Sequence, residues 1–245
     1  MPVTINDHFH LGSDLKAMTA GLIGLLVDRG KLQWTSTLAE LFPEYANTMR
    51  AEYKTVTLRE MLSQLIVDQL FAPIAMTTVS WGAAGTSTKE DQPDQPWQYR
   101  MDGATRVEIA PGPNSDNAPV MSPAGRANMS IGDWALWIQT VLRAEGGGKS
   151  PWTSATSHEL TTASVTTSGT DGYAMGWLTT KRGWAGPTQR ALTHAGSNTM
   201  NYALAWLAPD AGFAIIVVTN QGGDVAARAT DGMVATLLKW RGLLK

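Results

Sequence analysis

Residues 10–20 read His10-Leu11-Gly12-Ser13-Asp14-Leu15-Lys16-Ala17-Met18-Thr19-Ala20, a Ser-x-x-Lys set that follows a glycine and heads an apolar-periodic segment. Leu15, Met18, Leu22, Leu25 and Leu26 fall on one helical stripe, and Gly30 stands where a C′ glycine belongs. The spacing predicts a helix from Ser13 to about Val27. A serine at the head of a helix keeps its hydroxyl exposed, while its own N–H joins the unpaired donors of the first turn. Lys16 is one turn on, on the same face, within reach of the Ser13 oxygen. Burial would lower the lysine pKa toward the neutral form that a base needs. The plain alternative is an N-cap serine beside a surface lysine, and chance supplies about half such a match in a chain of this composition. Placement, more than the bare motif, makes Ser13 and Lys16 the catalytic candidates.

Outward from that helix, Thr57 and Glu60 form a capping-box pattern before the stripe of a second helix, Leu58–Phe71, which Pro73 stops. A third helix is predicted over Ile131–Ala144, with Ser130 and Asp133 at its start and Gly146–Gly148 past its end. A fourth closes the chain at Val225–Trp240. Between the second and third lies a polar stretch, Gly82–Asn128, holding Pro93, Pro96, Pro111, Pro113, Pro119 and Pro123. So long an aperiodic segment reads as a covering loop or a linker. From about residue 170 the pattern turns to short β-like runs at Tyr173–Lys181, Arg190–His194, Met200–Leu207 and Phe213–Thr219, with a turn at Pro209–Gly212. Helices first, then an antiparallel meander, then a closing helix make an α+β fold in one domain, 1–245.

Composition excludes several functions. The 245 residues carry a formal charge of −2 and only 16% charged side chains, which leaves no basic footprint for nucleic acid or anionic lipid. There is no cysteine, hence no disulfide, thiolate metal site or Cys nucleophile. The longest apolar run, Gly21–Val27, is far below the roughly 20 residues a bilayer span needs. No signal-peptide pattern is visible at the start, so the expectation is cytoplasmic, with a periplasmic location left open. Gly146-Gly147-Gly148-Lys149-Ser150 ends like a phosphate loop, but Arg143 stands where its first glycine should be. His8 and His10 have the spacing of some metal pairs without a third ligand, and a structural role is expected. No metal or cofactor is expected. No Gly-x-Ser-x-Gly occurs, so an α/β-hydrolase elbow is absent.

Taken together, these segments resemble the serine β-lactamase and penicillin-binding-protein superfamily, on the branch of class C β-lactamases, DD-peptidases and family VIII carboxylesterases. Residues 10–20 resemble its first motif, and Gly30-Lys31-Leu32-Gln33-Trp34 the segment after its nucleophile helix. Thr57–Gln64 resembles its "TLRxLLSH" helix, and Leu70–Thr77 its "LFxPLGMT" segment. Ser122-Pro123-Ala124-Gly125 resembles its "PAG" turn. Thr193-His194-Ala195-Gly196-Ser197 resembles the third motif, Lys-Thr-Gly or His-x-Gly. The resemblance implies that Ser13 is the acylated nucleophile and Lys16 its proton-handling partner. It also implies that His194, Ala195 and Gly196 lie on the inner edge strand, and that the Ser13 and Ser197 N–H groups form the oxyanion hole.

Two departures qualify the match. The second motif, Tyr-x-Asn, should fall between the "LLSH" helix and "LFxPLGMT", yet Gln64 runs directly into Leu65. Tyr45-Ala46-Asn47 stands in the wrong place in the order and is read as a coincidence. Only twelve residues precede Ser13, where the family places a helix and two strands. A positioned general base contributes about 10²–10⁴ in rate, so a site without that tyrosine suits activated esters better than amides. The reading is therefore a shortened serine hydrolase for small carboxylic esters. The alternatives are β-lactamase or D-alanyl-D-alanine carboxypeptidase activity, or a catalytically silent protein that binds a ligand or partner. An unpaired sheet edge further suggests a homo-oligomer.

Overall fold

A six-stranded antiparallel sheet organises the second half of the chain, in the order β11-β10-β9-β8-β7-β6. Its strands are β6 (Val165–Ser168), β7 (Asp171–Tyr173), β8 (Leu178–Lys181), β9 (Arg190–Ser197), β10 (Tyr202–Ala208) and β11 (Phe213–Thr219). The protein is seen here as a computed structural model that describes residues 2–36, 38–45, 47–48, 65–89, 92–169 and 171–244. A small sheet, β1-β5-β2, pairs β1 (His8–His10) and β2 (Ser80–Trp81) with β5 (Ala127–Ser130). The hairpin of β3 (Gln98–Asp102) and β4 (Thr105–Ile109) stands apart. The run expected as one strand, Tyr173–Lys181, is two strands broken by a turn in which Gly176 has φ +88°. A left-handed residue at that turn reverses the chain between β7 and β8.

Four helices flank the large sheet: α1 (Leu15–Asp28), α2 (Ile131–Glu145), α3 (Ser154–Thr161) and α4 (Gly223–Trp240). The α1 stripe is buried as its periodicity requires, with Leu15, Met18 and Leu22 fully enclosed. Gly30, at φ +66°, ends it: its N–H bonds the Val27 carbonyl at 2.9 Å and the Lys31 N–H bonds Leu26 at 2.8 Å. That is the Schellman pattern. Ser130 caps α2 by accepting from the Asp133 N–H at 3.1 Å, and Trp134, Trp137, Ile138 and Val141 form its buried face. Gly21 gives the Trp137 indole its room, because a Cβ there would meet that ring at 2.8 Å. Asp28 ties α1 to α3 through the Thr153 N–H (2.7 Å) and the Thr156 hydroxyl (2.6 Å).

Strand alternation sorts the two cores. Leu192, Ala203, Ala205 and Leu207 face α1 and α2, whereas Ala191, Leu204, Ala208, Phe213 and Ile215 face α4. Residues 58–64 of the predicted second helix lie outside the described residues. Its end is not regular α-helix: Val67–Phe71 form a wide π turn and Ala72–Ile74 a 3-10 turn. Part of the Gly82–Asn128 stretch packs at the end of the sheet, where Asn220 Nδ2 donates to the Trp97 carbonyl at 2.6 Å. Its β3 joins the chain after β11, where the Tyr99 N–H bonds the Asn220 carbonyl at 2.8 Å. Among the described residues β11 pairs only with β10, and the segment before Ser13 adds no strand to this sheet. No described helix is long and apolar enough to cross a membrane.

Candidate active site

A single 3-10 turn, Gly12–Asp14, carries Ser13 into α1. The Lys16 Nζ donates to Ser13 Oγ at 2.5 Å and lies 3.5 Å from the Ala124 carbonyl of the Ser122–Gly125 turn. Thr19, one turn further along α1, donates to the Pro123 carbonyl at 2.6 Å and fixes that turn against the helix. The predicted pair is thus brought together by helical spacing alone. Burial lowers the Lys16 pKa, against the opposing pull of Asp14. A depressed ammonium pKa is the condition for a lysine to act as a base.

The third motif meets this pair from the sheet. Pairing of β8 with β9 stops at Thr193, so the stretch His194–Ser197 runs beyond β8 while still pairing with β10. Into that space comes the Gly12–Asp14 turn. A Cβ on Gly12 would lie 2.2 Å from the Ser197 nitrogen, and one on Gly196 would lie 1.8 Å from the Leu11 carbonyl and 2.7 Å from the Ser13 nitrogen. Both positions need glycine for contact, and Gly12 also needs it for φ +51°. The same contacts bring the backbones of Ser13 and Ser197 side by side. The Ser197 hydroxyl is occupied elsewhere, donating to the Asn201 carbonyl at 2.6 Å. Ala195 faces away from α1, on the alternate side of β9, and is exposed.

His194 shares the inner face with Gly196. Among the described residues its ring nitrogens have no hydrogen-bond partner, and the ring meets Tyr173 edge-on with centroids 6.4 Å apart. Burial, reinforced by the Lys16 charge, lowers its pKa to about 4. At neutral pH it is an uncharged imidazole. Asp14 is the residue that sequence reasoning passed over. It is enclosed beside Ser13, with its carboxyl against the Gly196 backbone. Burial pushes its pKa well above the usual range, against the Lys16 cation and the Gly196 backbone.

A buried polar network also escaped the sequence. His10 Nδ1 accepts from the Gly12 N–H at 3.1 Å, which leaves Nε2 as the donor to Asp116, 2.9 Å away. Asp116 also accepts from Asn198 Nδ2 at 3.0 Å and faces Arg126 Nε at 3.5 Å. Burial alone would raise the Asp116 pKa, but His10 and Asn198 outweigh it and hold the carboxyl low. One carboxylate from the covering loop therefore ties the residue before Leu11-Gly12-Ser13 to the residue after Ser197. Nothing in the sequence signals it, since Asp116 is remote from both partners along the chain. His8 bonds Asn128 at 3.0 Å, so both early histidines are structural, and no metal-holding group occurs among the described residues. The side chain of Tyr45 lies outside the described residues. Tyr173 is the phenol that shares a cleft with Lys16, and burial raises its pKa.

The chain aligns over 98% of its length with the octameric penicillin-binding protein homologue from Pyrococcus abyssi, at a TM-score of 0.71 and 17% identity, covering 68% of that chain. At that identity the likeness is one of fold. No curated protein matches the sequence. The Beta-lactamase family model matches residues 62–238, a span that includes the third motif and begins downstream of Ser13 and Lys16. That span is well over half of the chain, and it supports a serine-hydrolase type of function in general terms. The chain belongs to the beta-lactamase family.

Proposed function

We propose that this protein is a serine hydrolase that cleaves small carboxylic esters through an acyl-Ser13 intermediate. The observation that carries the reading is the 2.5 Å contact between Lys16 Nζ and Ser13 Oγ beside the free end of β9. In the neutral form favoured by burial, Lys16 takes the Ser13 proton as Oγ attacks the ester carbonyl. The oxyanion that develops is held by the Ser13 and Ser197 N–H groups. Collapse expels the alcohol, which receives the proton from the Lys16 ammonium. Water then attacks the acyl-enzyme with Lys16 again accepting a proton, which it returns to Ser13 Oγ as the acyl bond breaks and the carboxylic acid leaves.

Charge favours esters over β-lactams and D-alanyl peptides, whose carboxylates call for a cation. His194 occupies the third motif's cation position but is neutral above about pH 4. Arg126 is engaged with Asp116. Self-association belongs to the same proposal, in keeping with the open edge of β11 and with the octameric state of the Pyrococcus abyssi homologue. The test of the chemistry is Ser13→Ala against p-nitrophenyl acetate and butyrate, with nitrocefin in parallel. The wild type should prefer the esters by kcat/KM, and the variant should lose turnover while keeping its fold. Undiminished turnover in the variant would sink the assignment, and a preference for nitrocefin would replace esters with β-lactams.

A further inference from the structure

A cleft of about 430 Å³ opens beside Lys16. That is within the roughly 300–1,000 Å³ of small-molecule sites. Lys16, Ala20 and Ile23 form its wall on α1, and with Ser13 they stand at positions i, i+3, i+7 and i+10. Such spacing keeps one helical face, so the cleft continues the face on which the nucleophile sits. Trp34, Pro123 and Met175 extend the wall. Among the described residues, no carboxylate or guanidinium lines it. Among the described residues its one amine, Lys16, already donates to Ser13, and burial raises the pKa of the Tyr173 phenol, which is uncharged at neutral pH. Trp34 remains 39% exposed, an indole held at the margin of an apolar wall. An exposed aromatic at the rim of an apolar hollow marks a surface that a ligand completes.

We propose that this cleft receives the hydrocarbon arm of the ester whose carbonyl is attacked by Ser13. The preferred substrates are then uncharged esters with an extended alkyl or aryl group. The inference rests on the acyl-Ser13 reading and deepens it. The arm can belong to the acid or to the alcohol, since both hang from the carbon bonded to Ser13 Oγ.

Two substrate series separate these sources: p-nitrophenyl esters from acetate to octanoate, and acetates of alcohols from methanol to octanol. In one series kcat/KM should rise about fourfold per methylene, the equivalent of about 0.8 kcal/mol per buried CH₂. Ala20→Phe, which fills the hollow, should flatten that rise while cooperative unfolding is retained. Trp34→Ala should make it shallower without burdening the core. Binding of 1-butanol, 1-hexanol and 1-octanol, followed by ligand-observed NMR, reads the cleft without turnover and should tighten along the series. Ester turnover with two flat series and no alcohol binding overturns the cleft assignment alone. Chain-length-dependent alcohol binding with no turnover overturns the acyl-Ser13 reading, and the ester arm with it.

Discussion

Beside Ser13, burial shifts the pKa values of two ionisable side chains toward their neutral forms, and the two oppose each other in pH dependence. His194 has a native pKa of about 4 against an ordinary value of 6.5. Between those values the unfolded chain binds the proton that the native state refuses, so stability falls as pH drops from about 6.5 to 4. The loss is on the order of 3 kcal/mol. Asp14 runs the other way. Its native pKa is raised, so the folded state holds the extra proton and stability falls as pH rises above the ordinary carboxylate value. His194→Gln should therefore gain on the wild type in Tm between pH 7 and pH 4.5. Asp14→Asn should gain on it between pH 4.5 and pH 8. Thermal unfolding of the three proteins at these pH values checks both signs, and differences that ignore pH would refute the burial argument.

At the scale of elements, the site is a junction between a turn and a strand edge, locked by Gly12 and Gly196 and clamped by one loop carboxylate. Asp116→Ala should release His10 and Asn198 together and let the Ser13 and Ser197 backbones, the proposed oxyanion donors, drift. Removing one oxyanion donor costs about 10²–10³ in kcat, and the variant should approach that loss with KM little changed. Steady-state kinetics on p-nitrophenyl acetate decide it, and a change confined to KM would contradict the clamp. Much of this junction was legible in the sequence, because Ser13 and Lys16 are helical neighbours and α1, α2, α4 and β11 announce themselves by period. Gly12 and Gly196 were present in the motifs, but what they touch is set by tertiary approach. The Asp116 clamp was not legible, since its partners come from remote segments of an aperiodic loop and strand ends. Asp14 was hidden for a different reason. An aspartate in a first helical turn reads as favourable to the helix dipole, and only the arrival of β9 buries it.

For the whole molecule, the outer surface of the α4 layer is unfinished. Val225, Met233 and Trp240 are exposed close to one face of α4, with Trp240 at 82%, and among the described residues the outer edge of β11 next to it pairs with no strand. An open strand edge beside an apolar helix face is a template for association, and a two-fold pairing would cover both at once. Light scattering at micromolar concentration should return a multiple of the 26.3 kDa chain mass. A mass of about 26 kDa with cooperative unfolding would assign the open edge to a stable monomer.

The proposed chemistry depends on Ser13 being a nucleophile activated by Lys16, through the 2.5 Å contact that places them together. The most direct measurement is reaction with a fluorophosphonate probe followed by intact mass and peptide mapping. One adduct per chain, on Ser13 and absent in Lys16→Ala, is the predicted result. No adduct, or an adduct on a different serine with Ser13 untouched, would contradict the account.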